Sequence, residues 1–398
     1  MAAQRTDTES AAPAPQKTDG AAPARRIKVL VVGPTPPPYH GVATFTRDLL
    51  AGAHDPRFEL LHLDTSDRRD ASNIGTCDLT NIRLGLTNLA QLAWRCARAR
   101  PDIVYIPISQ SVPGFLRDAL FILQARLLRR RIVLHLHGGY FRQTYEAGNG
   151  LFRWLARLAL RRAAAVIVLG EKFRPIFSGL VPAERVHVVE NGVPDPGAWA
   201  LQQQPDVTGA SRPCILYLGT LTRTKGILEL IRAVALLRRS LPEARLRVAG
   251  EWDSGALRAE AAEIIAREGL ADHVTFVGNV SGAEKAAFLA SGAVLCLPTR
   301  YPYEGQPLVI LEAMAAGLPV VATDHGVIAS TVVDGTTGRL LPTDSTPETL
   351  AATVGALLSD QKTLEEFGLR SRQRYLEHYT LEACHRQLFD VFDAARGS

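Results

Sequence analysis

The sequence predicts an α/β protein built from two doubly wound parallel sheets. Apolar strand-like segments alternate with helical segments in two successive cycles, which is the pattern of doubly wound folds. A length of 398 residues favours two domains, and a hydrophobic content of 46% supplies enough apolar material for two cores. Between the cycles lies the segment NGVPDPGAWALQQQPDVTGASRP, whose Pro, Gly and Gln content is typical of a linker. We therefore expect two Rossmann-like domains with a cleft between them.

The first cycle begins with the segment IKVLVVG, Ile27–Gly33, whose unbroken apolar run is typical of a buried parallel strand. A loop rich in Pro and a helix from about Val42 follow this strand. The other predicted elements are strands near 58–63, 102–108, 131–136, 164–169 and 186–189, and helices over 82–99, 114–129, 150–162 and 171–178. We interpret residues 26–192 as an N-terminal domain. Residues 1–25 are rich in Ala, Pro, Thr and Ser, and we expect a disordered tail there.

The second cycle begins with the segment CILYLG, Cys214–Gly219, which again reads as a buried strand. The elements predicted after it are helices over 225–239, 255–268 and 282–290, strands over 244–249, 273–277 and 293–297, and three helices within 347–395. Residues 193–212 then form the linker, and residues 213–378 form the C-terminal domain. We expect the last helix, within 379–398, to pack back on the N-terminal domain.

The segment EGQPLVILEAMAAGLPVVAT, which starts at Glu304, places two carboxylates around an apolar helix. Pro307 suits the first turn of that helix and Gly317 suits its end, so Glu304 lies in the preceding loop and Glu312 lies inside the helix. One interpretation is a helix cap and an internal salt bridge. The other is a ligand site, in which the free N–H groups from Gly305 onward meet an anion and the carboxylates bind sugar hydroxyls.

Further candidate residues follow predicted strands, and ligands of open parallel sheets bind beyond the carboxyl ends of the strands. The segment LGTLTRTKG puts Arg223 and Lys225 in such a loop, where they are either solvated charges or a clamp for a diphosphate. Gly41 stands where a helix begins and would let a ligand approach the backbone. His137 in HLHGG follows another strand and, taken alone, is more typical of a hydrogen-bonded loop histidine than of a catalytic group.

The sequence lacks the motifs that several classes of function require. No GxGxxG motif supports nicotinamide or flavin binding, and no Walker A loop is present. No DxD motif is available to hold a nucleotide diphosphate through a metal, so we expect neither a metal nor a cofactor. Five scattered cysteines indicate a reducing compartment without a disulfide framework. Without a membrane-spanning run or a signal-peptide pattern, we expect a cytoplasmic protein.

Positive charge is concentrated in the first half of the chain. Residues 1–200 contain 26 Lys and Arg against 17 Asp and Glu, whereas the second half is slightly acidic. The segment from Phe115 to Arg131 intersperses apolar residues with arginines, which is typical of a helix that lies on an anionic membrane. The alternative is that its apolar residues face the core and its arginines face water. Nucleic acid is not an expected partner, because no helix-turn-helix, RNP or zinc-finger pattern accompanies the charge.

Taken together, these motifs resemble those of glycosyltransferase family 4, the retaining GT-B enzymes. The segment from Leu295, LCLPTRYPYEGQPLVILEAMAAGLPVVATDHGVI, is similar to the family's E-x7-E block. LGTLTRTKG resembles its phosphate-binding loop, PPPYHGVATF its glycine-bearing first loop and HLHGG its acceptor-side histidine. The resemblance spans residues 26–395 and implies a GT-B fold, with an acceptor-binding N-terminal domain and a C-terminal domain that binds a nucleotide-sugar.

The resemblance also implies a role for each matching residue. Glu304 would contact the hydroxyls of the donor sugar, Glu312 the ribose, and His137 would lie beside the anomeric carbon. The residues implied for the diphosphate and the donor are Arg223, Lys225, Gly41, Gly305, Gln306, Pro307 and Leu308. The chain departs from the family pattern at Thr220, where an arginine is common, and at His40, where a glycine is common.

The implied activity is transfer of a hexosyl unit from a UDP- or GDP-sugar with retention of configuration. The acceptor would be a glycan or a polyprenyl-diphosphate-linked saccharide in cell-surface polysaccharide biosynthesis, at the inner face of the membrane. Two alternatives remain open at this point: a nucleotide-sugar 2-epimerase on the same scaffold, and a non-catalytic sugar-nucleotide-binding partner of a membrane assembly.

Overall fold

The structure, a computed structural model, describes residues 25–52, 55–68, 79–197 and 213–397. It consists of two six-stranded parallel sheets flanked by helices. The predicted α/β class with two doubly wound sheets is therefore confirmed. All but the last residue of the predicted tail, and most of the predicted linker, lie outside the described residues.

The first sheet is formed by residues 27–188 and has the strand order β2-β1-β3-β4-β5-β6. Its strands are β1 (Ile27–Gly33), β2 (Phe58–Asp64), β3 (Ile103–Ile108), β4 (Arg131–Leu136), β5 (Ala165–Val168) and β6 (Val186–Val188). Its helices are α1 (Gly41–Gly52), α2 (Leu79–Ala99), α3 (Val112–Leu127), α4 (Phe141–Ala147) and α5 (Gly150–Leu160). Strands β1, β3 and β4 are buried on both faces, which explains their largely apolar sequences.

The second sheet is formed by residues 214–341 and has the strand order β12-β11-β10-β7-β8-β9. Its strands are β7 (Cys214–Leu218), β8 (Arg245–Ala249), β9 (Val274–Gly278), β10 (Val294–Leu297), β11 (Val320–Thr323) and β12 (Gly338–Leu341). The helices of this half are α6 (Ile227–Leu237), α7 (Gly255–Arg267), α8 (Gly282–Ala290), α9 (Leu308–Ala315), α10 (Ile328–Thr331), α11 (Pro347–Ser359), α12 (Gln361–Arg374) and α13 (Leu381–Gly397).

The last helix, α13, packs against the first sheet rather than the second. Its Phe389 ring stacks on Phe58 of β2 with centroids 4.7 Å apart, and its Phe392 ring meets Tyr105 of β3 edge-on at 5.6 Å. The guanidinium of Arg131 donates to the carbonyl of Ala395 at 3.1 Å. Helix α13 thus covers, together with α1, the face of the first sheet opposite α2, α3 and α5.

Four local elements differ from the prediction. The segment predicted as a helix over 171–178 is a 3-10 helix, Glu171–Phe177, because Pro175 lacks the N–H that an α-helix would need at that position. Helices α4 and α10 and strand β12 were not predicted. Strand β12 is only four residues long and starts at Gly338, where a Cβ would lie 1.8 Å from the carbonyl oxygen of Val320. Such short elements carry little periodicity for a sequence pattern to reveal.

The single basic helix expected to lie on a membrane is, in the structure, mostly an ordinary core helix. Phe115, Phe121 and Ile122 are fully buried. Arg130 donates to the carbonyls of Pro101 at 3.2 Å and Cys96 at 3.4 Å, so it joins this helix to its neighbours. The alternative interpretation, in which the apolar residues face the core, is therefore correct for these positions. The arginine run from 129 to 131 is partly structural rather than free to meet lipid.

Candidate active site

The two halves of the molecule meet at the carboxyl edges of their sheets, where the loop after β4 touches the loop after β10. A Cβ on Gly305 would lie 2.2 Å from the carbonyl oxygen of His137. A Cβ on Gly138 would lie 2.5 Å from the carbonyl oxygen of Tyr303. Only glycine fits such close backbone approaches. The candidate site therefore lies in a cleft whose two walls are in contact, and Gly305 contributes to that contact.

Glu304 lies in the loop between β10 and α9 and is only 7% exposed. The hydroxyl of Thr299 donates to its carboxylate at 2.9 Å, and the ammonium of Lys225 lies 3.6 Å from the same oxygen, Oε2. A buried carboxylate needs such partners, because burying an unpaired charge is costly. These two groups fix the Glu304 carboxylate at the base of the cleft.

Lys225 is placed by a short 3-10 turn, Arg223–Lys225, at the end of β7. The hydroxyl of Thr222 caps the turn by accepting from the backbone N–H of Lys225 at 3.1 Å. Gly226 follows with a φ of +77°, and a Cβ there would lie 2.3 Å from the carbonyl oxygen of Pro298. The turn therefore packs closely on the end of β10, which is why the Lys225 ammonium reaches the carboxylate.

Arg223, expected beside Lys225, points elsewhere. Its guanidinium makes a bidentate ion pair with the carboxylate of Glu260 on α7, and its side chain is 61% exposed. Arg232 on α6 approaches the same carboxylate at 3.5 Å. The structure thus brings Lys225, but not Arg223, to the glutamate of the cleft.

Gln306 joins the loop before α9 to the segment that leaves the first sheet. Its side-chain oxygen accepts from the backbone N–H of Asn191 at 2.6 Å, and its side-chain nitrogen donates to the hydroxyl of Thr331 at 3.1 Å. Gln306 is 3% exposed. Its carboxamide therefore serves to hold the two halves together in this structure, whereas the sequence predicted a contact with the donor.

Pro307 and Leu308 lie where helix α9 begins. Pro307 takes the capping position, with φ −65° and ψ 119°, and Leu308 is the first helical residue. The N–H groups of a first helical turn have no partners within the helix, so they are available to an anion. Gly41 is the first residue of α1, and a Cβ there would meet nothing within 4 Å. The start of α1 thus has open space beside it, whereas Gly305, just before α9, is packed against the loop after β4.

Glu312, inside α9, forms an ion pair with Lys285 of α8, with 2.5 Å between Nζ and Oε1. Burial raises the pKa of its carboxyl, the ammonium of Lys285 lowers it, and Asp48 and Arg47 of α1 act in opposite senses at longer range. The last two residues belong to the first half of the molecule, so Glu312 faces across the cleft. The salt bridge expected on the first interpretation of this segment is present, and the ligand site of the second interpretation stays a prediction.

His137, at the end of β4, presents a neutral imidazole. Its ring lies 3.9 Å from the His135 ring and 4.7 Å from the Phe45 ring, measured between centroids. Burial lowers the pKa of His137 to about 3, with a smaller effect from the nearby His40. Its Nε2 is buried and has no hydrogen-bond partner among the described residues. Behind it, His135 Nδ1 is 2.7 Å from the hydroxyl of Tyr105.

The sequence did not single out four residues that complete this arrangement. Thr299 and Tyr301 precede Glu304 in the same block, and Lys225 lies 5.5 Å over the Tyr301 ring. Burial raises the pKa of the Tyr301 hydroxyl, with a further contribution from the Glu304 carboxylate. Their closeness to Glu304 in the chain was a usable signal. Lys285 and Asn191 are distant in sequence from their partners and carried no local signal.

Among the described residues, no three or more His, Cys, Asp or Glu side chains are grouped so that they could hold a metal ion. Across the same part of the chain, no helix combines the length and apolar character needed to cross a membrane.

Two doubly wound domains that face each other across a cleft are the architecture of the GT-B class. Residues 202–374 match the family described as glycosyl transferases group 1, and residues 68–192 match the glycosyl transferase 4-like domain. The chain belongs to this family of glycosyltransferases, as the sequence motifs predicted, and it is an enzyme of the transferase class.

Relatives of known activity support this assignment. The chain is 31% identical over 285 residues to the GDP-mannose-dependent α-(1-6)-phosphatidylinositol monomannoside mannosyltransferase of Mycolicibacterium smegmatis, covering 67% of this chain and 71% of that one. It is 29% identical over 284 residues to the α-D-kanosaminyltransferase of Streptomyces kanamyceticus, covering 68% and 72%.

Solved structures show the same fold. HepE of Anabaena, determined in complex with UDP, superposes with a TM-score of 0.71 at 19% identity, covering 92% of this chain and all of that one. The sucrose-phosphate synthase of Thermosynechococcus elongatus superposes with a TM-score of 0.68 at 19% identity, covering 92% and 98%. The predicted GT-B fold is therefore confirmed.

Proposed function

We propose that this glycosyltransferase moves a hexosyl unit from a UDP- or GDP-sugar to a glycan or a polyprenyl-diphosphate-linked saccharide, with retention of configuration. The observation that carries the proposal is the cleft itself. Glu304 with Lys225, the start of α9 and Glu312 with Lys285 line one wall, and His137 lies against the other. An anion site flanked by carboxylates fits a ligand that has both a diphosphate and many hydroxyls.

The departing group of this reaction is a nucleoside diphosphate that gains negative charge as the bond to the sugar breaks. In the proposed complex, the backbone N–H groups of Gly305, Gln306 and Leu308 and the ammonium of Lys225 stabilise that charge, because they are fixed before the reaction starts. Arg223 joins them by leaving Glu260, an exposed ion pair of the kind that contributes little free energy. This clamp functions without a metal ion.

The two carboxylates of the cleft bind the donor sugar and the ribose. Glu304 binds hydroxyls of the sugar, and Glu312 binds the hydroxyls of the ribose, each in exchange for part of its contact with a lysine. His137 accepts or donates one hydrogen bond through Nε2 as a neutral imidazole, since burial keeps its pKa at about 3. The sugar is thereby held with its anomeric carbon toward the cleft wall.

Retention then follows from attack on the same face that the diphosphate leaves. The acceptor hydroxyl transfers its proton to the departing phosphate oxygen as the new glycosidic bond forms and the old one breaks. Glu304 is assigned to hydroxyls, so no covalent intermediate on a carboxylate is invoked. Closure of the cleft excludes water, which would otherwise compete with the acceptor.

Two similar proteins support a UDP- or GDP-sugar as the donor. The mycobacterial relative uses GDP-mannose by its name, and HepE was determined with UDP. We place the enzyme at the inner face of the cell membrane, in cell-surface polysaccharide biosynthesis, because the positive charge of its first half suits an anionic surface where lipid-linked acceptors lie.

The test is a screen for release of nucleoside diphosphate from UDP-, GDP- and ADP-sugars, with and without polyprenyl-diphosphate saccharides. We expect release from a UDP- or GDP-sugar that depends on an acceptor and persists in EDTA. Acceptor-independent formation of free sugar and nucleotide would instead identify a 2-epimerase or hydrolase. Absence of turnover, with the nucleotide still bound, would identify a non-catalytic partner. If EDTA abolished the activity and added metal restored it, the proposal of a metal-free clamp would be wrong.

A further inference from the structure

A cavity of about 400 Å³ lies between helices α4 and α5 of the first half, apart from the residues of the candidate active site. Its lining residues are Tyr145 and Glu146 of α4 and Gly150, Arg153, Trp154 and Arg157 of α5. None of them belongs to the sequence motifs that predicted the active site. The cavity is therefore a candidate for a second binding site.

Two arginines of this cavity carry positive charge that no carboxylate offsets. Arg153 and Arg157 are four residues apart on α5, so they lie on the same face of the helix, where two like charges repel each other. Helix α5 contains no acidic residue, and neither arginine has a carboxylate partner among the described residues. The carboxylate of the lining, Glu146, is paired with Arg142 at 2.6 Å. A bound anion would relieve the repulsion between the two arginines.

The buried residue of the lining is Tyr145. The guanidiniums of Arg142 and Arg157 both lie over its ring, each 5.9 Å from the ring centroid, and such contacts hold two cations near one another. The side chain is 4% exposed, and its hydroxyl has no hydrogen-bond partner among the described residues. Tyr145 thus supplies both a support for the cations and a hydroxyl that still has a hydrogen to donate.

The start of α5 adds backbone donors to the same cavity. Gly150 is the first helical residue, and the side chain of Asn149 caps the helix by accepting from the N–H of Phe152 at 2.9 Å. The N–H groups of a first helical turn have no partners within the helix, and a Cβ on Gly150 would meet nothing within 4 Å. The positive end of the helix dipole therefore lies beside Arg153, which favours an anion there.

We propose that this cavity binds a diphosphate group and that, during transfer, this group belongs to the acceptor. Each guanidinium presents a planar set of donors that matches two phosphate oxygens. A diphosphate carries enough negative charge for both arginines, whereas a single carboxylate would leave one of them unpaired. Trp154, which is 59% exposed, offers an apolar wall to the sugar or the hydrocarbon next to the diphosphate.

The position of the cavity relative to the cleft suits an acceptor. Helix α4 begins four residues after His137, and Tyr145 is its fifth residue. The Cα atoms of His137 and Tyr145 are therefore no more than about 20 Å apart. A saccharide can bridge such a distance, with its reacting hydroxyl in the cleft and its diphosphate in the cavity. This role favours the diphosphate-linked saccharide over a plain glycan and rests on the proposed function, whereas the diphosphate site itself does not.

The site is tested first without the reaction, by calorimetric titration of the full-length protein with inorganic pyrophosphate and, at the same ionic strength, with sulfate. The cavity variant carries Arg153→Gln and Arg157→Gln. The matched control carries Arg161→Gln and Arg162→Gln, two exposed arginines just beyond α5 that do not line the cavity. The wild type and the control should show a pyrophosphate site that the cavity variant binds about 100-fold more weakly, since each charge-assisted hydrogen bond contributes about tenfold or more.

The role in acceptor binding is tested by initial rates with one saccharide in two soluble forms, a short-chain isoprenyl diphosphate and a methyl glycoside. In the wild type and the control, kcat/KM should be about 100-fold higher for the diphosphate form. In the cavity variant this advantage should disappear through KM, with kcat within about threefold of the wild type. The rate on the methyl glycoside should stay unchanged, which also shows that the variant is folded.

Four results would overturn the proposal. They are equal pyrophosphate affinity in the wild type and the cavity variant, sulfate binding as tight as pyrophosphate binding, equal losses in the cavity variant and the control, and equal kcat/KM of the wild type for the two acceptor forms. A wild type that binds pyrophosphate in the cavity but transfers to neither acceptor form would instead reject the proposed function and leave the diphosphate site standing.

Discussion

At the residue scale, each carboxylate of the cleft has its own cation. Lys225 lies 3.6 Å from Glu304, and Lys285 lies 2.5 Å from Glu312. In this structure the two lysines offset the cost of holding two carboxylates in a largely buried place. A bound donor would add hydroxyls and a diphosphate to the cleft and would change both lysine–carboxylate contacts. In the proposed complex one pair meets the sugar and the other meets the ribose, so mutations of the two pairs should have different effects.

The two glutamates should be separable by calorimetric titration with free nucleoside diphosphate. Glu304→Ala should lower kcat/KM by about 100-fold or more, because the transition state loses a fixed partner, while the affinity for the diphosphate stays within about threefold. Glu312→Ala should weaken both, since it removes the ribose contact, and should also lower stability because Lys285 loses its partner. Equal losses of nucleotide affinity in the two variants would contradict this division of roles.

The two cations of the proposed clamp, Lys225 and Arg223, should respond differently to mutation, because only Lys225 lies beside Glu304 in this structure. Lys225→Ala should lower kcat/KM by about 10²–10³-fold. If Arg223 swings into the cleft, Arg223→Ala should cost about 100-fold, whereas Glu260→Ala, which frees the arginine, should keep or raise activity. Steady-state kinetics of the three variants with the donor found by screening provides the measurement. Wild-type rates for Arg223→Ala would leave Lys225 as the only cation of the clamp.

The buried histidine makes stability depend on pH in a defined direction. The pKa of His137 is about 3 in the folded protein, below its ordinary value of 6.5, so the unfolded chain binds more protons between these values. Stability is therefore complete above about pH 6.5 and is lost as pH falls toward 3, by about 2 kcal/mol between pH 6.5 and 5 from this group. His135, whose pKa burial also lowers, acts in the same direction.

Calorimetric melting at pH 7 and pH 5 tests the histidine directly. The melting temperature of the wild type should drop between the two, and His137→Gln, which cannot titrate, should show a smaller drop. A variant with the same pH dependence as the wild type would show that His137 is not the group responsible.

At the element scale, the site depends on how closely loops pack on strand ends. The turn that carries Lys225 is held against the end of β10 by a glycine in the left-handed region, with Pro298 behind it. The loop before α9 is held to the first half by Gln306 and by the contact of Gly305 with the loop after β4. Such contacts place side chains that a loop of arbitrary sequence would leave mobile.

Gly226→Ala should therefore disturb both stability and catalysis. A φ of +77° costs an alanine about 1–2 kcal/mol, and the Cβ would also press on the carbonyl of Pro298. We expect a lower melting temperature and a kcat/KM reduced about tenfold or more, since a displacement of about 1 Å can cost 10²-fold. Gly255→Ala is the matched control: it opens helix α7 and meets no atom within 4 Å. Equal behaviour of the two variants would refute the packing argument.

At the scale of the whole molecule, the end of the chain packs against the domain formed by its first half. The segment near Val193 runs beside the segment near Tyr379, with a backbone hydrogen bond of 3.0 Å between them, and α13 then covers the first sheet. An ion pair of Lys172 with Asp324, at 3.3 Å, adds a contact between the two halves beside the cleft. The chain thus passes between the two halves twice, and the two passages lie side by side at Val193 and Tyr379.

Helix α13 should accordingly stabilise the first sheet although it is the last element of the chain. Phe392→Ala removes a fully buried ring that contacts Tyr105, and should cost about 3–5 kcal/mol. Leu369→Ala, on a side chain 74% exposed, is the control and should change stability by less than about 0.5 kcal/mol. Calorimetry should show a lower melting temperature for the first half of the protein in the Phe392 variant alone. Similar melting of the two variants would mean that α13 adds little to that half.

The sequence by itself determined the alternation of strands and helices. A parallel strand that is buried on both faces has a continuous apolar sequence, which can be recognised without knowledge of the tertiary structure. It placed Glu304 in a loop and Glu312 inside a helix, since proline and glycine mark where a helix begins and ends. It also carried the family motifs, which lie in short continuous segments. The roles of the site residues stay predictions.

Only the tertiary structure decided which groups meet. In the structure, Arg223 forms an ion pair with Glu260, and Lys285 forms one with Glu312. The side chain of Gln306 accepts a hydrogen bond from the backbone N–H of Asn191. These partners are 27 to 115 residues apart in the chain. Side-chain contacts of that range depend on how layers pack on a sheet, and no local spacing encodes them.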